Sequence, residues 1–201
     1  MIEAVSSGLV RGYLHRPAAE SGLAVVLAHG AGSDCNSRVL VAVCTAFAQA
    51  GVRALRIDLP FRVAGDKMPR NQERDRAGLR TAADLVRGGR RVILGGHSYG
   101  GRQASMLAAE DPSVADLLLL LSYPLHPPRK PEQMRTAHFP ALRTPCLFVH
   151  GTRDPFGSPE EMRTAIPSQA RLILIDRAGH ELKPVIADPA EVVQACLAMT
   201  T

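Results

Sequence analysis

A serine with glycines two positions to either side, Gly96-His97-Ser98-Tyr99-Gly100, is the pattern in this chain best suited to covalent chemistry. A strand that turns sharply into a helix presents such a serine at its apex. Glycine is needed on both sides because neighbouring backbone comes within contact distance, where no Cβ fits. A serine hydroxyl is a weak nucleophile until a base takes its proton, and an imidazole base needs a carboxylate to fix its tautomer and stabilise its cation. His180, in Ala178-Gly179-His180-Glu181, and Asp154, in Gly151-Thr152-Arg153-Asp154, each follow an apolar run and supply these groups. Asp176 also follows such a run, just before His180. Asp154 is preferred, because a carboxylate on a separate strand reaches the imidazole from behind without contorting its loop. The amide of Ala31, in His29-Gly30-Ala31-Gly32, and that of Tyr99, at the positive end of the following helix, would hold a developing oxyanion. The chemistry implied is acyl transfer through Ser98. By composition the five-residue glycine–serine pattern arises about 0.08 times per chain by chance, so its setting has to carry the inference.

Other residues have simpler roles beside sharper ones. Arg102 falls one turn into the helix after Ser98, where the helix dipole disfavours a cation. An ion pair with Asp58 or Asp66 is the plain expectation for it, and an anionic substrate the sharper one. Tyr99, Tyr123, Leu125, Phe156 and His126 are candidates for pocket walls, with Tyr123, Phe156 and Arg102 as the expected substrate contacts. His29, His97, His126 and His150 show no ligand spacing and read as structural or pocket-lining, so no metal site is expected. The four cysteines, Cys35, Cys44, Cys146 and Cys196, lie far apart and read as buried thiols. Gly30-Ala31-Gly32-Ser33-Asp34-Cys35, with Asp58 ending the next apolar run, approaches a dinucleotide fingerprint. Cys35 stands where its third glycine belongs, and that reading leaves Ser98, Asp154 and His180 without a use.

The elements that must position these groups alternate. Leu23 to Ala28, Val52 to Asp58, Arg91 to Gly95, Leu117 to Ser122, Cys146 to His150 and Arg171 to Ile175 are continuous apolar runs, as parallel strands covered on both faces require. Between them, Val39, Val43 and Phe47, and Leu79, Ala82, Ala83 and Val86, fall at helical spacing. Ser158-Pro159-Glu160-Glu161 and Asp188-Pro189-Ala190-Glu191 each place a cap residue, Pro at N1 and Glu at N3, and so predict helix starts. Val192, Val193, Cys196 and Leu197 form a stripe in the second. The expected fold is α/β, a three-layer sandwich on a mostly parallel open sheet, with ligands at the carboxyl ends of the strands. Five prolines interrupt Tyr123 to Thr144, which leaves room for a minimal cap or none.

The 201 residues are enough for one domain, expected over 1–201. With 46% hydrophobic and 21% charged residues, disorder and fibrous architectures are excluded. The net charge of +5 invites a nucleic-acid partner, but the basic residues between Arg62 and Arg80 are interleaved with Asp66, Glu73 and Asp75, and aromatics are 4% with no Trp. Nucleic acid is therefore not expected. The longest apolar block, around Leu117 to Leu121, is too short for a span, so no membrane association is expected. Residues Met1 to Ser6 carry neither a basic nor an apolar leader pattern, which predicts a cytoplasmic protein.

With His29-Gly30-Ala31-Gly32, Gly96 to Arg102, Ser122-Tyr123-Pro124-Leu125-His126-Pro127-Pro128, His150 to Gly157 and Gly179-His180-Glu181-Leu182, the chain resembles the α/β-hydrolase superfamily. Within it, the chain is similar to the small dienelactone-hydrolase-like branch that includes a testis-expressed protein and an NSL-complex subunit. The resemblance spans nearly the whole sequence. It implies the α/β-hydrolase fold, a Ser98, Asp154 and His180 triad, and hydrolase-type activity on a small-molecule substrate without a cofactor. Dienelactone hydrolases proper carry cysteine where this chain has Ser98, and some branch members serve as complex subunits, so a non-catalytic interaction module is the alternative.

Overall fold

Strands rich in unbroken apolar sequence set the middle of the molecule. The computed structural model describes residues 1–200, whose strands are β1 (Ile2–Ser7), β2 (Val10–His15), β3 (Leu23–Ala28), β4 (Arg53–Asp58), β5 (Arg91–His97), β6 (Leu117–Leu121), β7 (Cys146–Gly151) and β8 (Arg171–Ile175). They join one eight-stranded sheet in the order β1-β2-β4-β3-β5-β6-β7-β8. From β4 to β8 all neighbours are parallel, while β1 with β2 and β2 with β4 are antiparallel. The helices are α1 (Arg38–Gln49), α2 (Pro60–Val63), α3 (Gln72–Arg87), α4 (Tyr99–Glu110), α5 (Pro159–Ala165), α6 (Lys183–Ala187) and α7 (Ala190–Met199).

Successive strand residues point to opposite faces, and β3 shows how both are covered. Ala24, Val26 and Ala28 pack in one core with Leu79 and Val86 of α3 and Ala104 and Leu107 of α4. Leu23, Val25 and Leu27 pack in the other with Val39, Val43 and Phe47 of α1 and Val192, Val193 and Cys196 of α7. The result is the three-layer α/β sandwich expected, with the helical spacings of α1 and α3 turned inward. All four cysteines are buried and free.

The structure adds the β1–β2 hairpin, which extends one edge of the sheet. Of the two predicted caps, Ser158 closes a full capping box with Glu161 at α5. The second differs: the Asp188 carboxylate accepts only from the Ala190 amide, at 3.0 Å, and Pro189 lies outside α7. The segment between β6 and β7 holds one short 3₁₀ turn, Phe139–Ala141, and no cap. Among the described residues, no helix is long and apolar enough to cross a membrane.

Candidate active site

β5 runs into α4 through a single residue. Ser98 sits at φ 51 and ψ −110, a left-handed conformation that costs a non-glycine residue about 1–3 kcal/mol. Flanking contacts hold it there. The Ser98 amide donates to the Leu121 carbonyl of β6 at 2.8 Å, and the Arg102 amide donates to the Ser98 carbonyl at 3.0 Å. A Cβ on Gly96 would come within 2.2 Å of the Ala28 carbonyl oxygen, and one on Gly100 within 2.4 Å of the same atom. The two glycines thus let β3, β5 and α4 close on one another around the serine. Ser98 makes no capping hydrogen bond to α4, so its hydroxyl does not serve as an ordinary helix cap.

The loops after β7 and β8 meet beside this turn. The Thr152 amide donates to the Ile175 carbonyl at 3.0 Å and the Arg153 amide to the Ala178 carbonyl at 2.8 Å. This lacing brings His180 Nδ1 to 2.8 Å from Asp154 Oδ2. The Asp154 side chain is fully buried and that of His180 is 18% exposed. Burial alone would raise the Asp154 carboxyl. The His180 hydrogen bond and charge, the Phe156 amide at 3.0 Å and His150 outweigh burial and hold it below the ordinary carboxylate value. An ionised acceptor there keeps the His180 proton on Nδ1 and leaves Nε2 as the free basic atom.

Two residues not singled out for this role fix the His180 main chain. His97 Nε2 and Ser122 Oγ each lie 2.8 Å from the His180 carbonyl, and both donate to it. The Phe156 ring stacks at 4.3 Å on the imidazole. The spacing of Ser122 and His97 in sequence carried no signal for this, since the contact spans three strand ends.

A cleft of about 600 Å³ collects Ala31, Ser98, Arg102, Arg135, Phe156 and His180 along its walls. Ser98 Oγ makes no hydrogen bond to His180 among the described residues; such contacts commonly tighten only when substrate enters. Among the described residues, neither the Ala31 nor the Tyr99 amide has a hydrogen-bond acceptor, and both residues line the cleft.

Some expected residues lie elsewhere. Tyr123 is no cleft wall: it is fully buried against Phe139 and Phe148, with its hydroxyl donating to the Arg135 carbonyl at 2.7 Å. Leu125 is core as well. The Tyr99 side chain turns away, donating to Asp75 at 2.7 Å, although its backbone remains at the cleft. Arg102 pairs with neither suggested carboxylate. Asp58 accepts from Arg11 at 2.8 Å and from the Cys35 amide at 2.7 Å, and Asp66 faces Arg70. Both Asp58 carboxylate oxygens are thus engaged within the chain, Oδ2 by Arg11 and Oδ1 by the Cys35 amide, which weighs against the dinucleotide reading. Asp176 is exposed and paired with its neighbour Arg177 at 3.0 Å. His29 is buried between the Gly30 carbonyl and the Leu59 amide, and His150 faces the Gly157 carbonyl. No group of three His, Cys, Asp or Glu side chains able to hold a metal ion occurs among the described residues.

Known proteins share this arrangement of elements. An α/β serine hydrolase homologue from Coxiella burnetii superposes with a TM-score of 0.76 at 18% identity, over 98% of this chain and 97% of that one. A dienelactone hydrolase from Anabaena variabilis gives 0.74 at 24% identity, over 100% and 95%. A Xanthomonas campestris protein described as an α/β serine hydrolase without lid gives 0.77 at 16%, over 96% and 92%. At such identities the likeness is one of fold. The family model described as alpha/beta hydrolase domain matches residues 21–200. The chain therefore belongs to the α/β-hydrolase domain family.

Proposed function

We propose that this protein is a serine hydrolase that cleaves a small carboxylic ester or related acyl compound through an acyl-enzyme on Ser98. The observation that carries this reading is the 2.8 Å contact of His180 with the buried Asp154, on the same cleft as the strained Ser98. In the forward step Ser98 Oγ bonds to the substrate carbonyl carbon while its proton passes to His180 Nε2. The carbonyl oxygen becomes an oxyanion between the Ala31 and Tyr99 amides, and Asp154 stabilises the imidazolium. Collapse breaks the bond to the leaving alcohol, which takes the proton from His180. Water then repeats the sequence on the acyl-enzyme, giving its proton to His180 and releasing the acid and Ser98. The nucleophile, the base, the orienting carboxylate and the oxyanion donors of this cycle are all groups of the chain, and solvent supplies the water.

The test is labelling with a fluorophosphonate probe beside an esterase assay. Ser98 is the expected labelled residue, and Ser98→Ala is expected to keep the fold and lose roughly 10⁴-fold or more in rate. Equal rates in the two proteins would sink the hydrolase reading. A folded protein that neither labels nor turns over any small ester would favour an interaction module on a hydrolase fold.

A further inference from the structure

Arginines that leave the surface of this protein almost always have a partner. Arg16 and Arg53 meet Glu3 and Glu20, Arg56 meets His15, the Cys35 carbonyl and Asn36, and Arg62 the Ser33 carbonyl. Arg76 and Arg80 meet Glu110 and Asp111, Arg87 the Val114 carbonyl, and Arg90 Glu20. Among the described residues, the half-buried Arg102 and Arg135 stand apart, because neither guanidinium has an acceptor or a carboxylate within 4.0 Å. The Arg102 Nε is itself fully buried without a hydrogen-bond partner. Leaving a buried charged donor unpaired is costly, and native structures do so where something else supplies the partner.

Both arginines line the cleft that holds Ser98. Arg102 is one helical turn beyond Ser98 on α4, hence on the same face. Helical side chains lean toward the helix N-terminus, which inclines the guanidinium toward the serine. Arg135 is held from the other segment: its amide donates to the Leu125 carbonyl at 2.7 Å and its carbonyl accepts from the buried Tyr123 hydroxyl. The two cations lie near enough that burial and the Arg102 charge together hold Arg135 below its ordinary value. Burial and the same charge hold His138 neutral, down to about 4. The carboxylate on the cleft wall, Glu181, is exposed and pairs with neither arginine. Two like charges brought together beside a nucleophile, without a counter-ion from the chain, describe a receptor for an anion.

We propose that Arg102 and Arg135 form an anion subsite beside Ser98, so that the substrate is an acyl compound carrying a second, negatively charged oxygen group, a carboxylate or a phosphate. The planar guanidinium fork suits either group bidentately. The substrate class rests on the serine-hydrolase reading, whereas anion binding itself does not.

Two measurements on the purified protein separate these claims. The first compares kcat/KM for mono-p-nitrophenyl glutarate with that for p-nitrophenyl pentanoate, its neutral counterpart of equal acyl length. The anionic ester is expected to be preferred tenfold to hundredfold at low ionic strength, with the preference shrinking as salt is added. Arg102→Gln and Arg135→Gln are each expected to collapse that ratio toward one, mainly through KM, and Arg102→Lys to restore part of it. Arg135 lies in irregular backbone, so its variant reports even where a change in α4 disturbs folding. The second measurement is calorimetric titration with glutarate, which needs no turnover and is expected to weaken at least tenfold in either Gln variant. Competition by propionate against methylphosphonate tells carboxylate from phosphate. Turnover of the pentanoate ester with no anionic preference would overturn the subsite and leave the hydrolase intact. Arginine-dependent binding of glutarate without turnover of either ester would do the reverse.

Discussion

Asp154 and Asp176 each follow a strand close to the His180 loop, but they sit in opposite electrostatic settings. Asp154 is buried with its charge stabilised by His180, the Phe156 amide and His150. Asp176 is 78% exposed, and an ion pair of that kind with Arg177 contributes about 0–1 kcal/mol. An amide at position 154 cannot accept the imidazole N–H or stabilise its cation. Asp154→Asn is therefore expected to lower kcat by ~10⁴-fold, and Asp176→Asn to change it by less than about twofold. Steady-state kinetics on p-nitrophenyl acetate checks this, and the reverse ranking would move the orienting role to Asp176. The strand-end placement of Ser98, Asp154 and His180 was legible because glycine spacing and apolar runs are one-dimensional signals. Tyr123 was not: Ser122 turns at φ 49, so the side-chain alternation of β6 does not carry past it, and the ring swings into the core. Arg135 gave no signal, since an unpaired cation is defined by what surrounds it in space.

At the level of elements, the parallel strands were readable because burial on both faces removes alternation, and their ends were found to within about two residues. The β1–β2 hairpin escaped for a physical reason. β1 lies at the sheet edge with no residue fully buried, and β2 carries Gly12 at a position where a Cβ would fall 2.0 Å from the Arg56 carbonyl oxygen. Glycine reads as a strand breaker, yet here it is required by the close pairing with β4. The connection after β6 matters more for chemistry. Its prolines leave only the Phe139–Ala141 turn, so no lid closes over Ser98, and the apolar wall there consists of a few side chains such as Phe156 and Val39. Each methylene that found full burial would add about 0.8 kcal/mol, roughly a fourfold gain in kcat/KM. Across neutral p-nitrophenyl esters the expected course is an early plateau at short acyl groups, with no activation at lipid interfaces. A steady rise out to dodecanoyl would reveal a deep apolar tunnel in place of this open cleft.

For the whole molecule, charge and protonation decide behaviour more than size. The chain carries +5 overall, and within the basic stretch from Arg62 to Arg80 two of the charges are neutralised by pairing, Arg76 with Glu110 and Arg80 with Asp111. The histidines are more consequential. Burial lowers His15 and His138 to about 4, and it is also the largest cause lowering His29, His97 and His150. Several are committed as acceptors: His15 Nε2 takes the Arg56 Nε–H at 3.0 Å, and His29 Nε2 takes the Leu59 amide at 3.2 Å. A histidine whose folded pKa is depressed stays neutral in the native state while the unfolded chain binds a proton below about 6.5. Between those two values the unfolded state holds more protons, so stability must fall as pH falls, by up to about 1.4 kcal/mol per pH unit for each such group. The lowered carboxyls, Asp58 and Asp154, act in the same direction only at more acidic pH, as they are protonated in the unfolded chain near 4. Asp75, raised chiefly by burial, opposes them there. The protein is therefore expected to lose stability from about pH 6.5 downward, before the carboxylates begin to titrate. With His15 and His138 together losing about 5 kcal/mol between pH 7.5 and 4.5, calorimetric Tm measured over that range should drop by roughly 10–20 °C, at about 2–4 °C per kcal/mol for a chain of this size. His15→Gln and His138→Gln keep a hydrogen-bonding group but cannot titrate, and each should make that slope shallower. A Tm constant down to pH 5 in the unmodified protein would mean that these imidazoles take up protons in the folded state as freely as in water.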